Sequence, residues 1–437
     1  MLFRSRLHAV EERLGRHARG LLGSEPALRL GAVERPAAGA FVPSDDQWRG
    51  VTQALEQRIS ILTGGPGTGK SATMRALVDL LKAGRRRARL CAPTGKAARR
   101  LSELTGADAT TIHRLLEWAP DEGFTRDASR PIEDCDVLIV DEASMLSVHL
   151  AEALLAAVGP HTHVLLVGDV DQLAPVGPGR VLEDLLAADV ASTRLTEVFR
   201  QAARSLIVRA AHAINAGALP DATPREGDVR DFFLIEREGP RAIFDEVCEL
   251  AAVRLALHYD LDPAADVQVL APMHKGPLGI DALNTELRAR LNAGGAAIPG
   301  SGLRVGDKVM QTRNSYEHDL FNGERGVLLH HDRDRDRVMF AGEDGRRVSL
   351  PAEALDTLKL AYAATVHKAQ GSQARAIVVP VYRGHHIMLT RNLVYTAVTR
   401  AQEVCVVVGE RAALQVAVRR ADARLRYTRL RELVAGS

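Results

Sequence analysis

The chain contains few cysteines and no long apolar stretch. Its 437 residues include only four cysteines, far apart and without a CxxC pair: Cys91, Cys135, Cys248 and Cys405. This spacing favours unpaired thiols in a reducing compartment over disulfides or a zinc site. No apolar run approaches the roughly 18 residues of a membrane span, and the basic N-terminus lacks the apolar core of a secretory signal. We therefore expect a cytoplasmic protein that makes no use of a membrane.

The chain also lacks a charge excess and is poor in aromatic residues and lysine. Its 57 basic and 55 acidic residues give a net charge of +2, and aromatic residues make up 4%. Bulk charge therefore excludes a protein that coats nucleic acid, so any polyanion binding must come from local patches. Seven of the basic residues are lysines, which leaves 50 arginines. Because lysine supplies a compact and flexible point charge, its rare positions are candidates for sites that require one.

Apolar runs alternate with helical periods along most of the chain. Residues 5–23 predict an amphipathic helix, and a loose Pro/Gly/Ala stretch follows at 31–43. Further along the chain, continuous apolar runs alternate with helical segments. Such runs suit parallel strands covered on both faces, so they predict an α/β fold. The predicted strands are Ile59–Leu62, Ala88–Ala92, Val137–Val140, Val164–Val167, Val267–Leu270, Ala376–Val381 and Val404–Val408. Residues 300–357 differ, because glycines punctuate short apolar runs there and predict a small antiparallel β insertion.

A glycine-rich loop follows the first predicted strand. Residues 64–71 read GGPGTGKS and fit the pattern GxxxxGK[ST] between a strand and a helix. Glycines let backbone N–H groups surround phosphate oxygens, while Lys70 reaches the β- and γ-phosphates and the Ser71 hydroxyl ligates Mg²⁺. We therefore expect ATP and Mg²⁺ as cofactors. The predicted phosphate-binding residues are Gly65, Pro66, Gly67, Thr68, Gly69, Lys70 and Ser71.

Acidic and amide side chains follow two later strands. Asp141 is suited to hold Mg²⁺ and Glu142 to polarise an attacking water, while Gln172 is placed to sense the γ-phosphate. Asp169 fits either this site or the cap of a turn. Phosphoryl transfer also needs positive charge at the developing oxyanions, and Arg200 and Arg400 are candidates that charge alone would not single out among 50 arginines.

Together these segments resemble the RecD-like group of superfamily 1 helicases, which move 5′→3′ on DNA. The resemblance extends from about Gln47 to Gly409 and rests on blocks that occur in the family's order. Those blocks are Ala92–Ala98 (motif Ia), Thr111–Leu116 (the next DNA-contacting segment), Asp141–Met145 (motif II), Gly168–Leu173 (motif III), Leu195–Gln201 (motif IV), Thr365–Ser372 (motif V) and Tyr395–Ala401 (motif VI).

The resemblance implies two RecA-like lobes with ATP bound between them. It places an N-terminal helix and linker at 1–43, lobe 1 at 44–194 and lobe 2 at 195–437. It makes residues 117–133, with Trp118 and Phe124, a small hairpin insertion and candidate strand-separating pin, although a plain surface loop remains open. It makes residues 300–357 an SH3-like insertion.

The resemblance also assigns residues to nucleotide and DNA. Gln47 would read the adenine, Gln370 and Gly371 would bind the nucleotide, and Arg200 and Arg400 would complete the site from lobe 2. Single-stranded DNA binding needs donors for phosphate and some base stacking. The candidates for DNA binding are Thr94, Lys96, His113, Arg114, Asn314, Tyr316, Thr365, His367 and Lys368.

Two departures from the family pattern matter. Longer members carry an extra N-terminal domain, of which only the trailing helix at residues 5–23 is expected here, so functions of that domain do not transfer. Gln373 stands where many relatives have glutamate, which puts a contact to the ribose in doubt.

The sequence leaves three hypotheses open. The chain is a free-standing helicase, a motor subunit that needs recombination or repair partners, or an ATP-gated DNA-binding switch that does not translocate. Lys70, Glu142, Gln172 and Arg400 together argue against the switch. Single-stranded and tailed duplex DNA are the expected partners, polarity rests on the resemblance alone, and no separate nuclease cluster is predicted.

Overall fold

The computed structural model describes residues 2–28, 34–36, 42–119, 121–315, 317–343, 345–421 and 426–436, without the side chains of residues 2–5, 200 and 201. The loose stretch predicted at 31–43 therefore lies largely outside the described residues. Within the described chain, no helix is both long and apolar enough to cross a membrane. Two compact units are present: unit 1 comprises Met1–Ala202 and Arg424–Ser437, and unit 2 comprises Ala203–Ala423.

Unit 1 is built on a parallel sheet whose central strands are apolar and buried. Its strands are β1 (Ile59–Gly64), β2 (Ala88–Ala92), β3 (Ala109–Thr111), the short pair β4 (Trp118–Ala119) and β5 (Gly123–Phe124), β6 (Val137–Val140), β7 (His163–Gly168) and β8 (Ser192–Leu195). In the described residues the sheet runs β3-β2-β6-β7-β1-β8, and β4 pairs only with β5. Apolar residues cover both faces, which is why the predicted strands carry continuous apolar runs.

Several helices of unit 1 begin at residues whose side chains cap the first turn. Ser44, Thr94 and Ser147 each accept a hydrogen bond from a backbone N–H of the helix that follows them. The helices are α1 (Leu2–Leu22), α2 (Asp45–Glu56), α3 (Lys70–Ala83), α4 (Gly95–Thr105), α5 (Ile112–Leu115), α6 (Val148–Ala156) and α7 (Val181–Ala187). The predicted helix at 5–23 matches α1, whose buried face includes Val10, Leu14 and Leu21.

Unit 2 also contains a parallel sheet, and a small antiparallel β module is inserted into its sequence. After α8 (Arg200–Ala203) at the boundary, its elements are α9 (Leu206–Asn215), β9 (Phe232–Glu236), α10 (Pro240–Glu249), α11 (Leu255–Tyr259), β10 (Val267–Ala271), α12 (Ile280–Leu291), β11 (Lys308–Gln311), β12 (Arg325–Asp332), β13 (Arg337–Gly342), β14 (Arg347–Pro351), β15 (Leu358–Leu360), β16 (Ala363–Thr365), β17 (Ala374–Val381), α13 (Arg391–Val398), β18 (Ala401–Gly409) and α14 (Arg411–Arg419). Its parallel sheet runs β16-β10-β17-β18-β9 across the residues described.

The inserted module of unit 2 is antiparallel, as predicted. Strands β11 to β15 form a separate sheet in the order β14-β13-β12-β11-β15. Its interior is a small cluster of its own that includes Val309, Leu328 and Phe340. The α/β fold with a hairpin in the first half and a β insertion in the second is therefore confirmed.

The last described helix, α15 (Leu430–Ala435), packs in unit 1 and not with the sequence that precedes it. Leu430 and Val434 join the buried cluster that contains Leu14 and Leu185. Residues 195–202 also belong to unit 1. The compact units thus divide the chain after Ala202 and before Arg424, whereas lobe 2 was predicted at 195–437, and the lobe boundaries stay a prediction. Burial of apolar side chains against α1 and α7 decides where the C-terminal segment packs.

Candidate functional site

Every strand of the unit 1 sheet is parallel, so the segments that follow the strands meet at one edge. The strand order places the loops after β6, β7 and β1 side by side, with the loops after β2 and β3 next to them. Open α/β sheets bind ligands at this edge. The polar segments predicted from the sequence therefore lie together, in two neighbouring groups.

The glycine-rich loop folds around the lysine that the sequence singled out. The Lys70 ammonium donates to the carbonyl oxygens of Gly64 at 2.5 Å and Gly65 at 3.0 Å. Thr68 closes the turn through a hydroxyl that donates to Gly65 at 2.9 Å. Gly69 adopts φ +86°, a left-handed conformation, and Lys70 opens α3 directly after it. The ammonium and the helix N-terminus thus supply positive charge at one point, as binding of a phosphate requires.

Gln47 packs directly onto this loop. A Cβ added at Gly69 would collide with the Gln47 side-chain amide nitrogen, and that nitrogen lies 3.5 Å from the Gly69 carbonyl oxygen. Gln47 is fully buried, and its amide oxygen accepts from the Ser44 N–H at 2.9 Å in the capping box of α2. Its predicted role toward adenine stays a prediction, because the structure gives it a capping role as well.

Asp141 and Glu142 lie at the end of β6, in the centre of the edge. Burial, and then the charge of Glu142, raise the pKa of Asp141 to about 6 against the opposing charge of Lys70. Glu142 has φ +51°, a conformation that costs a residue with a side chain about 1–3 kcal/mol and that is concentrated at functional sites. The Asp141 carboxylate accepts from the Glu142 N–H at 2.8 Å.

The residues at this point fit a magnesium ion. Carboxylate and hydroxyl oxygens are ligands that Mg²⁺ prefers, and the predicted ligands are Asp141 after β6 and Ser71 in the first turn of α3. A buried carboxylate next to a second carboxylate is also an arrangement that a divalent cation stabilises. Among the described residues, no group of three or more His, Cys, Asp or Glu is arranged to hold a metal.

Asp169 and Gln172 follow β7, between the glycine-rich loop and Asp141. Both side chains are buried, and the Gln172 amide donates to the Asp169 carboxylate at 3.4 Å. The other carboxylate oxygen of Asp169 accepts from the Asp171 N–H at 3.0 Å. Asp169 therefore shapes the turn that carries Gln172, which is the turn-capping alternative left open by the sequence.

The DNA candidates of unit 1 follow the neighbouring strands β2 and β3. Thr94 accepts from the Ala97 N–H at 3.3 Å and starts α4, so part of its hydrogen bonding is structural. Lys96 lies in the first turn of α4 and is half-buried, while Arg114 is exposed in α5. Ala92 and Thr111 are paired in the sheet register, which brings both segments together.

His113 contacts the hairpin insertion. The His113 ring lies 5.4 Å from the Phe124 ring and 6.4 Å from the Trp118 ring. Trp118 and Phe124 pair across β4 and β5, which confirms a hairpin within 117–133. Burial lowers the pKa of His113, which favours its neutral form. The histidine thus links the hairpin to the segment after β3, and its assignment to DNA stays a prediction.

A set of ion pairs closes the base of the hairpin. Glu117, at φ +50°, accepts from Arg126 at 2.7 Å and from Arg130 at 3.0 Å. Thr125 also donates to Glu117, at 3.2 Å. Because these groups lie on both sides of β4 and β5, they fix the direction in which the hairpin projects.

In unit 2, motif V follows β16 and turns tightly. The Thr365 hydroxyl accepts from the Lys368 N–H at 3.3 Å, and His367–Ala369 form a single helical turn. Burial lowers the pKa of the Lys368 ammonium, so an anionic partner would compensate a desolvated charge. Gln370 is buried and Gly371 is left-handed at φ +69°.

Arg400 is buried in unit 2 and lies against the end of motif V. Its guanidinium donates to the Ser372 carbonyl oxygen at 3.4 Å, and its own carbonyl accepts from the Ala374 N–H at 3.1 Å. Arg200 begins α8, but its side chain lies outside the described residues. The roles of both arginines therefore remain predictions.

The β insertion approaches motif V within unit 2. A Cβ added at Gly323 would lie 4.0 Å from the Lys368 carbonyl oxygen. The Asn314 side chain accepts from the Asn322 N–H at 2.9 Å and so shapes this loop. Tyr316 lies outside the described residues.

The sequence analysis missed one segment that follows β10, next to motif V in the unit 2 sheet. Pro272–Lys275 follows β10, whose last residue Ala271 pairs with Thr365, and His274 and Lys275 are exposed. The signal was available, since Lys275 is one of the seven lysines and stands just after a buried strand. We add His274 and Lys275 to the candidates for phosphate contacts.

Three protein-family profiles match the chain in order. The AAA domain matches residues 43–231, the SH3 domain of ATP-dependent RecD-like DNA helicases matches 283–341, and the UvrD-like helicase C-terminal domain matches 360–408. These ranges cover the nucleotide segments, the β insertion and motifs V and VI.

Curated relatives match over most of this chain. It is 43% identical over 420 residues to the ATP-dependent RecD2 DNA helicase of Deinococcus radiodurans, which covers 94% of this chain and 55% of that protein. It is 32% identical to the RecBCD enzyme subunit RecD of Mycolicibacterium smegmatis, with 100% of this chain and 83% of that protein covered. The corresponding subunit of Mycobacterium tuberculosis is 34% identical, with 89% and 73% covered. The chain therefore spans about half the length of the Deinococcus protein.

Solved structures share the fold. The crystal structure of Pif1 helicase from Bacteroides in complex with ADP-AlF3 and ssDNA superposes with a TM-score of 0.51 at 17% identity, covering 84% of this chain and 92% of that chain. At this identity the likeness concerns the fold alone.

Proposed function

This chain belongs to the family of RecD-like DNA helicases, and on that premise we propose that it is an ATP-driven motor that moves 5′→3′ on single-stranded DNA and opens duplex DNA in repair or recombination. The observation that carries the proposal is the strand order of unit 1. The candidate nucleotide-binding residues follow β6, β7 and β1, while the candidate DNA-binding residues follow the adjacent strands β2 and β3. One rigid sheet edge thus supports both groups.

The nucleotide step follows from the positions of the side chains. Lys70, which donates to the carbonyls of its own loop, would exchange those acceptors for phosphate oxygens when ATP binds. Glu142 would orient the attacking water, and Gln172, held on the Asp169 turn, would contact the γ-phosphate. Ser71 and Asp141 would hold Mg²⁺, which neutralises charge on the phosphates.

The DNA step would use the segments after β2 and β3 and the segment after β16. Backbone and side-chain donors at Lys96, Arg114 and Lys368 suit phosphate without reading sequence. The hairpin tied to His113 would meet the duplex ahead of the single strand. Arg400, and Arg200 by resemblance, would supply positive charge to the transition state.

A second candidate function is that of a motor subunit. Two relatives with 83% and 73% of their length covered are named as subunits of an enzyme complex. In that case the isolated chain would hydrolyse ATP with DNA yet separate strands only with partner proteins.

The decisive experiment compares two otherwise identical duplexes, one with a 5′ tail and one with a 3′ tail. Wild-type chain and ATP should open the 5′-tailed duplex selectively, and Lys70→Ala should open neither. Opening of neither duplex by the wild type, with hydrolysis stimulated by DNA, would favour the subunit. Hydrolysis that does not respond to DNA would contradict the motor altogether.

A further inference from the structure

The C-terminal segment 426–436, here named the C-terminal strap, is an integral part of unit 1. Its helix α15 crosses α1 so closely that a Cβ at Gly15 would lie 2.7 Å from the Leu433 Cβ. Leu430 is fully buried in the apolar cluster that includes Leu14 and Leu185. The strap is therefore fixed in place independently of its first residue, Arg426.

Arg426 forms three hydrogen bonds with one loop of unit 1. Its guanidinium donates to the carbonyl oxygens of Gly177 at 2.5 Å, Gly179 at 3.0 Å and Pro175 at 2.6 Å, about 250 residues earlier in the chain. We name residues 175–179 the motif III loop, because it begins three residues after Gln172. One planar guanidinium thus binds three carbonyls of five consecutive residues, a geometry that lysine does not reproduce.

The sequence of the motif III loop explains why it needs an external donor. Pro175 and Pro178 have no N–H and disfavour a helix or a strand, and the loop forms neither. Its carbonyl oxygens therefore need donors from outside the loop. Its opposite side packs on the start of α6, where the Val148 N–H donates to Pro178 at 2.9 Å. A Cβ at Gly177 would lie 2.7 Å from the Ser147 Cβ, and one at Gly179 would collide with Val148. The loop is therefore held between α6 and Arg426.

We propose that Arg426 is a positioning residue for Gln172, acting through the backbone of the motif III loop. The inference rests on the proposed function, in which Gln172 contacts the γ-phosphate. Asp169 fixes the start of the turn that carries Gln172, and Arg426 fixes its continuation toward α7. Without Arg426, the segment after Gln172 loses three of the hydrogen bonds that hold its carbonyls, and the position of Gln172 relative to Lys70 and Glu142 becomes less restricted.

The test compares Arg426→Ala, Arg426→Lys and the matched control Arg431→Ala, an exposed arginine on α15 of the same strap. Steady-state ATP hydrolysis with single-stranded DNA is measured well below the melting temperature of each variant. We expect kcat to fall about tenfold or more in Arg426→Ala with little change in KM for ATP, because misplacement of a reacting group costs turnover. Arg426→Lys should be intermediate, since it retains donors without the planar fork.

Hydrogen exchange provides a readout that does not depend on activity. Amides of residues 169–179 should exchange faster in Arg426→Ala, while those of α15 should remain as in the wild type. Unchanged exchange at 169–179, or unchanged kcat in a folded Arg426→Ala, would overturn the inference. If the wild type itself shows no hydrolysis that responds to DNA, the proposed function fails, and the exchange comparison still decides whether Arg426 holds the loop.

Discussion

The candidate site of unit 1 and the parallel sheet of unit 2 are held in place by different kinds of contact. In unit 1, the side chains of Lys70, Asp141 and Gln172 form hydrogen bonds with groups within six residues of themselves. In unit 2, by contrast, buried side chains reach across the chain: Lys308 donates to Val267 at 2.9 Å, and Asn284 exchanges two hydrogen bonds with Ala363.

A buried arginine is the clearest example of the second kind. Arg325, on β12 of the insertion, bonds to Gln268 on β10, to Glu343, and at 3.3 Å to the carbonyl of Gln373 after motif V. The insertion and the parallel sheet of unit 2 are thereby tied together through polar groups. Contacts within a few residues make the candidate site of unit 1 readable as a motif, with Arg426 as a long-range contact beside them. In unit 2, Arg325 links the segment after motif V to residues that no motif contains.

The largest expected effect tests the short-range contacts of the candidate site in unit 1. Lys70→Ala should lower kcat for ATP hydrolysis on the order of 10²–10³-fold, as loss of a donor to developing charge does elsewhere. The stability of unit 1 should hardly change, because the two hydrogen bonds found for this lysine in the described residues both go to its own loop. Lys82→Ala, at the far end of the same helix, is the matched control. Near-normal hydrolysis in Lys70→Ala would refute the assignment of the site.

The next largest effect tests the long-range contacts of Arg325 in unit 2. Arg325→Ala leaves Gln268 and Glu343 without their buried partner and should cost unit 2 about 3–5 kcal/mol of unfolding free energy. Arg347→Ala, exposed on β14, should cost little.

The measurement for Arg325→Ala must report unit 2 itself. Both tryptophans, Trp48 and Trp118, lie in unit 1, so their fluorescence does not follow the other unit. Hydrogen exchange at β10 and β12 does. Equal protection in the two variants would show that the insertion is not tied to the sheet through Arg325.

A smaller effect concerns the hairpin, where local ion pairs orient a distant tip. Glu117→Gln weakens the contacts to Arg126 and Arg130 and should slow strand separation about tenfold, because misoriented groups lose rate. Hydrolysis driven by single-stranded DNA should be unaffected. Glu122→Gln, exposed near the tip, serves as the control. Parallel losses in both activities would point to a general defect rather than to a strand-separating pin.

The smallest effect tests a long-range contact within unit 1, between the C-terminal strap and α7. The Thr428 hydroxyl lies 3.0 Å from Asp184 and 2.5 Å from Glu11, and burial raises the pKa of Asp184 to about 6. Since the folded state binds this proton more tightly than the unfolded chain, stability falls as pH rises through about 6. Asp184→Asn should therefore stabilise unit 1 by about 1–2 kcal/mol at neutral pH.

Tryptophan fluorescence during urea unfolding measures the effect of Asp184→Asn. The gain should disappear below about pH 4, where aspartate is protonated in both states. Asp189→Asn, an exposed aspartate nearby, should show no such dependence. A gain that persists unchanged in acid would exclude ionisation of Asp184 as its cause.

The arrangement of the candidate nucleotide site could be predicted from the sequence, because its residues lie in short segments that each follow a strand. The loop around Lys70 and the pair Asp141 and Glu142 each follow an apolar strand, and parallel strands bring their carboxyl ends to one edge. The structural role of Lys308 was not predictable, because its partner is a backbone carbonyl of a strand 41 residues earlier. The contact of His113 with Trp118 and Phe124 likewise depends on how the hairpin folds back.

The sequence alone determined the α/β class, the parallel strands, the β insertion and the order of the motifs, since apolar periodicity and turn residues act over a few positions. Only the tertiary structure decided that α15 returns to unit 1, that Arg426 holds the motif III loop and that Arg325 ties the insertion to motif V. These contacts join residues tens to hundreds of positions apart. They are selected by burial and by the need of carbonyls and carboxylates for donors, which no local pattern records.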